Sequence, residues 1–241
     1  MTRTVLVLCG GVGQRFRLDS KDIQKPLVKV HGKSQLFWAT KGASLSYRPD
    51  NFVFAVRSGL VNRILEEVES FNFLHRFEVV DVGESTLGPA HTLKLALDKS
   101  SFLLEDSQII IVDNDCFNLM KLTLDSESFP FVTIYESNNP QHCFVRLIDN
   151  SLVTNFFEKD RKTSTAVSGN YGVINSPELR ENLSKLVSAS QPGREPYLSD
   201  LMGALLVFQS IKAFPVTEYF SLGTPLEISL LGNEIAKFAE F

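Results

Sequence analysis

VLVLCGGVGQRFRLDSKDIQKPL, residues Val5 to Leu27, begins as a buried strand and ends as a cationic loop. The run Val5-Leu6-Val7-Leu8 is the aliphatic, β-branched mix of a strand covered on both sides. It breaks on Gly10, Gly11 and Gly13, where the backbone can turn sharply and present its N–H groups without side chains in the way. Arg15 follows at once, and Lys25 comes ten residues later, locked ahead of Pro26. Exposed amides and two cations after a buried strand make a receptacle for a polyanion, most simply a triphosphate. From Met1 to Lys33 there are seven cations against Asp19 and Asp22, a local net charge of +5 in a chain whose total is −4. Two other glycine loops fit less well. A dinucleotide fingerprint needs a third glycine where Phe16 stands, and a P-loop needs a Gly-Lys-Ser/Thr that is absent.

Gly10, Gly11, Gly13, Arg15, Lys25 and Pro26 together resemble the sugar-phosphate nucleotidyltransferases. That family carries Gly-Gly-x-Gly-x-Arg after its first strand and Lys-Pro ten residues beyond the arginine. Gln14 stands where a threonine is common and Gln24 where a proline is common, and neither change removes a charge. The resemblance implies a nucleotide pocket formed by Leu8, Gly10, Gly11, Gly13, Arg15 and Lys25. Arg15 would hold the β- and γ-phosphates, and Lys25 would neutralise the α-phosphate. It also implies the family's fold, a three-layer α/β/α sandwich around a mixed, mostly parallel central sheet.

The rest of the chain suits that expectation. Its 241 residues predict one domain, 1–241, with a nucleotide-binding half over 1–120 and an acceptor half over 121–241. A hydrophobic content of 44% and a charged content of 22% are ordinary for a soluble globular protein. The apolar start is too short for a membrane span or a signal segment, which predicts a cytoplasmic protein without membrane contact. Cys9, Cys116 and Cys143 are too scattered for a disulfide framework or a zinc site. A basic excess confined to the first loop and a pI of about 5.6 argue against a nucleic-acid partner. The oligomeric state stays open.

Strand–helix alternation fills the first half. Strands are expected at 52–56, 77–82 and 109–112, with helices over 35–46, 60–71 and, after a Gly-Pro turn, up to Ser100. Ile109-Ile110-Ile111-Val112 is apolar on both faces and therefore central. The second half predicts strands at 131–135, 143–148, 152–158, 169–174 and 211–215. Helices are expected over 177–187, 198–208 and 226–238.

Four further clusters carry candidate chemistry. Asp113-Asn114-Asp115 ends the central strand, where open α/β sheets place their ligands. Oxygen donors there suit Mg²⁺, although the same letters also make a turn. The resemblance picks Asp115 as the metal ligand, with Asp113 as its substitute. Leu87-Gly88-Pro89 resembles the family's second glycine turn, so Gly88 is assigned to the nucleotide. The neighbouring His91 is read as a helical histidine without a catalytic task. Glu158-Lys159 resembles the pair that contacts the sugar and its phosphate. Gly169-Asn170 resembles the sugar-side strand, with Gly169 giving close approach and Asn170 a hydrogen bond to a hydroxyl. Near the end, Ser221-Leu222-Gly223-Thr224-Pro225 resembles Asp-x-Gly-Thr-Pro, with Ser221 replacing a metal-binding aspartate.

These resemblances imply a Mg²⁺-dependent transferase that joins a nucleoside triphosphate to a sugar 1-phosphate, releasing pyrophosphate. Two alternatives stay open. One is a cytidylyltransferase for a non-sugar phosphate such as phosphocholine. The other is a nucleotide-binding subunit without turnover, for which Ser221 is the main argument.

Overall fold

The computed structural model of the chain describes residues 1–11, 24–121, 123–191 and 193–239. Gly13 and Arg15 lie outside the described residues.

The first half alternates as the pattern predicts. Strand β1 (Arg3–Cys9) is followed by a small hairpin, β2 (Lys29–Val30) and β3 (Lys33–Ser34), and then by helix α1 (Gln35–Tyr47). Ser34 caps α1 by accepting the Phe37 N–H at 3.0 Å. The inward-facing Trp38 is fully buried and donates its indole N–H to the Val30 carbonyl at 2.8 Å. Strand β4 (Asn51–Val56), helix α2 (Val61–Glu69), strand β5 (Phe77–Asp81), helix α3 (Pro89–Lys99) and strand β6 (Gln108–Asp113) complete that half.

The second half contains β7 (Cys116–Leu119), β8 (Phe131–Glu136), β9 (Cys143–Ile148), β10 (Leu152–Glu158) and β11 (Thr165–Ile174). Helices α4 (Pro177–Ser188) and α5 (Leu198–Leu205), strands β12 (Ile211–Pro215) and β13 (Glu218–Ser221), and helix α6 (Pro225–Leu230) follow. The single helix expected over 226–238 is instead α6 and a separate 3-10 turn, Glu234–Phe238. Gly232, with φ +55°, stands between them and turns the chain.

Nine strands form one sheet in the order β5-β4-β1-β6-β11-β8-β12-β10-β9. Strands β5, β4, β1 and β6 are parallel, whereas β11 runs antiparallel to both β6 and β8. Strand β12 is parallel to β8, and β10 is antiparallel to β12 and to β9. Strand β9 also meets β11, so the last five strands close on themselves. The sheet is therefore mixed, and the expected parallel predominance holds only for its front half. The reason is connectivity. Helical crossovers join the front strands, whereas β9 returns on β10 through a short turn that reverses direction, and β11 enters the sheet antiparallel to β6.

Side chains alternate along β1 into two separate cores. Leu6 and Leu8 face Leu93 and Ala96 of α3, Leu183 of α4 and Leu201 of α5. Val5, Val7 and Cys9 face Leu36 and Trp38 of α1 and Ile64 of α2. Burial on both faces explains the unbroken apolar run of the opening stretch and places helices on either side of the sheet. Parallel strands β4, β1 and β6 consequently end together at one edge, and that edge carries the site.

Candidate active site

A cleft of about 820 Å³ opens across the carboxyl ends of β1 and β6. Of the residues singled out from sequence, Leu8, Gly10, Gly11, Lys25, Gly88, Asp113, Asp115, Glu158, Lys159 and Gly169 all line it. Gly10 has to be small. A β-carbon there would stand 2.6 Å from Thr92 Oγ1 on α3, so the strand end and the helix start could not approach as they do. Among the described residues nothing stands within 4 Å of where a Gly11 β-carbon would sit, and Gly11 lines the cleft.

Lys25 sits on a short 3-10 turn, Lys25–Leu27, anchored by the buried Pro26. Its Nζ lies 2.5 Å from Asp115 Oδ2. The Asp113-Asn114-Asp115 segment is fixed from two directions. The Asn114 amide donates to the Leu8 carbonyl, tying it to β1, and the Asp115 carbonyl accepts the Leu222 N–H at 2.7 Å. Burial first, and then the neighbouring Asp115 carboxylate, push the Asp113 carboxyl up to about 8. Lys25 pulls it the other way, and Glu158 adds to the rise.

The folded protein keeps the Asp113 proton well above the pH at which an unfolded chain releases it, so folding binds a proton in that window. The associated stability is full below pH 3.8 and is lost as pH rises toward about 8. With a chelator present, Asp113→Asn should gain thermal stability relative to the parent as pH rises through this window. A difference that stays constant with pH would contradict the assignment.

Gly169 has φ +90°, where side chains other than glycine are strained, and a β-carbon there would stand 3.1 Å from Asp113 Oδ2. It sits in an irregularity of the β11–β8 ladder between Val167 and Tyr171. Gly169→Ala should cost about 1–3 kcal/mol of stability in a denaturant titration, from backbone strain alone. A loss below about 0.3 kcal/mol would show that the backbone relaxes freely at this position.

Asn170 points the other way. Its amide donates to Tyr47 Oη at 2.7 Å and accepts from Asn118 at 3.0 Å, and the side chain is buried toward α1. The expected bond from Asn170 to a sugar hydroxyl is therefore corrected. Of the two, Gly169 lines the cleft and Asn170 does not.

At the far end, Glu158 accepts a hydrogen bond from Ser199 at 2.7 Å. Burial raises its carboxyl, against the lowering effects of Ser199 and Lys159. Lys159 adopts φ +53°, unusual for a residue with a β-carbon, and donates its N–H to the His142 carbonyl at 3.1 Å. Its ammonium lies 2.5 Å from Tyr197 Oη and 4.6 Å from the centre of that ring.

No protein-family model matches the sequence, and no curated protein sequence does. Solved structures do. The nucleoside-diphosphate-sugar pyrophosphorylase of Vibrio cholerae matches with a TM-score of 0.78, covering 94% of this chain and 98% of its own at 18% identity. The chain has the fold of the nucleotide-sugar pyrophosphorylases. A UDP-glucose pyrophosphorylase in complex with UDP-glucose gives a TM-score of 0.76 over 95% and 96% of the two chains, at 16% identity. The inositol-1-phosphate CTP transferase of T. maritima gives 0.74 over 99% and 96%, at 13% identity.

Within this pyrophosphorylase fold the cleft holds residues that the sequence reading missed. Asn139, Gln141 and His142, from the loop between β8 and β9, line the cleft together with Lys159. The His142 Nδ1 lies 2.6 Å from Tyr135 Oη, and Tyr135 stacks on Tyr219 with ring centres 3.8 Å apart. Glu227 is a further carboxylate. A β-carbon on Gly223 would stand 3.2 Å from Asp115 Oδ2 and 3.3 Å from Glu227 Oε2, so both acids flank one glycine beside Ser221. No sequence signal separated Glu227 from an ordinary first-turn acid of α6. His91 accepts the Leu87 N–H at 3.0 Å and so steadies the turn that presents Gly88. Among the described residues no helix is long and apolar enough to cross a membrane.

Proposed function

We propose that the chain is a nucleotidyltransferase that joins a nucleoside triphosphate to a phosphorylated polyol, most simply a sugar 1-phosphate. One observation carries this reading. A single cleft has two polar poles, Lys25 with Asp113 and Asp115 beside the glycine turn, and Glu158 with Lys159 at the other end. The first pole suits a triphosphate and the second a phosphorylated acceptor. Likeness of fold to a structure that holds UDP-glucose supports the same pairing.

The chemistry needs no protein nucleophile. The acceptor phosphate oxygen forms a bond to the α-phosphorus, the bond from that phosphorus to the bridging oxygen breaks, and pyrophosphate leaves. Positioning and charge neutralisation supply the catalysis. Lys25 would move from Asp115 onto the α-phosphate as charge builds there. Arg15 would hold the β- and γ-phosphates. Burial pushes the Cys9 thiol up to about 12 and the Cys116 and Cys143 thiols up as well, which keeps all three unreactive.

The donor set fits Mg²⁺. Asp113 and Asp115 both line the cleft, with the Lys25 ammonium paired to Asp115. Among the described residues no group of three or more His, Cys, Asp or Glu side chains is arranged around one metal position. Mg²⁺ usually takes one or two carboxylates and completes its shell with phosphate and water. Asp115, with Asp113, would hold the ion, which when bound would neutralise charge on the triphosphate.

A second reading, a cytidylyltransferase for a cyclitol phosphate, is favoured by the fold likeness to the inositol-1-phosphate CTP transferase. Phosphocholine suits the cleft less. The Tyr197 ring already carries the Lys159 ammonium and Tyr219 stacks on Tyr135, so these rings are engaged.

Lys159→Ala separates the two poles. It should raise the acceptor KM about tenfold or more through loss of a charge-assisted bond to the acceptor phosphate, and leave the triphosphate KM within about twofold. Equal effects on both substrates, or none, would return Glu158-Lys159 to a solvated strand end.

A further inference from the structure

Arg57 follows directly on β4 and plays no part in the chemistry described so far. The ladder pairs Cys9 with Val56, so Arg57 continues beside Gly10, at the edge that bears the cleft. Its guanidinium turns toward the segment ahead of Lys25. Nη2 donates to Gln24 Oε1 at 3.0 Å, across thirty-three residues of sequence. The Nε is shut away from solvent without a hydrogen-bond partner among the described residues, so the Gln24 bond is what anchors the group.

Gln24 stands at the start of the Lys25–Leu27 turn, with φ −94° and ψ 116°. Its carbonyl accepts the Leu27 N–H at 2.8 Å. Its side chain does not cap the turn, and it is committed to Arg57 instead. A single 3-10 turn is a weakly held element, and a lysine side chain adds four rotatable bonds of its own. Where Nζ arrives therefore depends on how firmly the backbone ahead of it is held. Proline would stiffen that backbone by fixing φ, and Gln24 has no such restraint.

We propose that Arg57 is a positioning residue which, through Gln24, sets the turn from which Lys25 reaches the phosphates. This rests on the transferase reading for its kinetic consequence, but not for its structural one. An electrostatic contact acts only where it is held in place beforehand, and displacement by about 1 Å can cost up to about 100-fold in rate.

Arg57→Met keeps the apolar stem and removes the guanidinium. It should lower kcat about 10- to 100-fold while leaving the acceptor KM within about twofold. Adding Gln24→Pro to Arg57→Met should recover most of the rate, because proline restores stiffness directly ahead of Lys25. In a Lys25→Ala background Arg57→Met should cost nothing further, since its route to the reaction is gone. An equal loss in both backgrounds, or no rescue by proline, would assign Arg57 an independent role and overturn the proposal.

A second readout needs no activity. Acylation of Lys25 by an amine-reactive ester, followed by peptide mass spectrometry, should speed up several-fold in Arg57→Met and in Gln24→Leu, with other lysines unchanged. Gln24→Leu breaks the same bond from its other end, which guards against a folding defect specific to Arg57→Met. Unchanged labelling of Lys25 in both folded variants overturns the proposal even if the parent protein proves not to be a transferase. Absence of acceptor-dependent pyrophosphate from the parent, with labelling altered as expected, overturns only the functional reading.

Discussion

Lys25→Ala should lower pyrophosphate release about 10²–10³-fold while the protein stays folded, the cost typical of losing one electrostatic contact to a transition state. The site explains both halves of that result. Lys25 pairs with Asp115, on a turn that lines the same cleft as Gly10 and Gly11. Its charge matters most as the α-phosphate becomes five-coordinate, so the loss should fall on kcat more than on the triphosphate KM. The fold should not suffer, because the Lys25–Asp115 pair is partly exposed, at 22% and 27% for the two side chains. Pairs that open to water contribute about 0–1 kcal/mol. Stopped-time pyrophosphate assays with a melting curve on the same sample check both statements. Near-normal turnover in a folded variant would remove Lys25 from the mechanism.

Asp115→Asn should cost about 10² or more in rate, and Ser221→Ala less than about tenfold. Asp115 follows the buried strand β6 and is tied down through its own carbonyl and through Asn114, so the segment that carries its carboxylate is held in place. Asn keeps the shape and removes the charge. Ser221 offers a neutral oxygen that binds Mg²⁺ weakly, and its removal deprives the ion of little. Rates measured against Mg²⁺ concentration should show a raised requirement for Asp115→Asn and an unchanged one for Ser221→Ala. Equal damage from the two would move the metal toward β13. Glu227, across Gly223 from Asp115, would then be the carboxylate to test next.

Much of this site can be read from sequence because its supports are local. Val5 to Leu8 and Ile109 to Val112 are buried on both faces, and such runs read as central strands whatever surrounds them. Gly10 and Gly11 break the first run, and Asp113 ends the second, so the positions of glycine turn and carboxylates follow from the strands. What sequence missed depends on partners far along the chain. Cys116–Leu119 and Glu218–Ser221 are four-residue strands that, among the described residues, pair only with each other, and neither is long enough to show a period. Closure of the last five strands is a matter of register, to which local propensity is blind. Asn170 was assigned to the wrong side because the irregular ladder around Gly169 decides which neighbour faces the cleft. Arg57 went unnoticed because a lone arginine after a strand looks like any solvated side chain. Only the pairing of β4 with β1 brings it beside the glycine turn.

The central claim is that one cleft binds a triphosphate and a phosphorylated acceptor together and joins them. The direct test is pyrophosphate release by the purified protein with Mg²⁺, crossing the four common nucleoside triphosphates with sugar 1-phosphates and a cyclitol phosphate. Product masses are read from the same reactions. The account predicts pyrophosphate that depends on acceptor, a strong preference for one triphosphate, and a product equal in mass to the nucleoside monophosphate condensed onto the acceptor phosphate. Tight triphosphate binding with no acceptor-dependent pyrophosphate across the whole panel would contradict it, and would identify the chain as a nucleotide-binding protein without turnover.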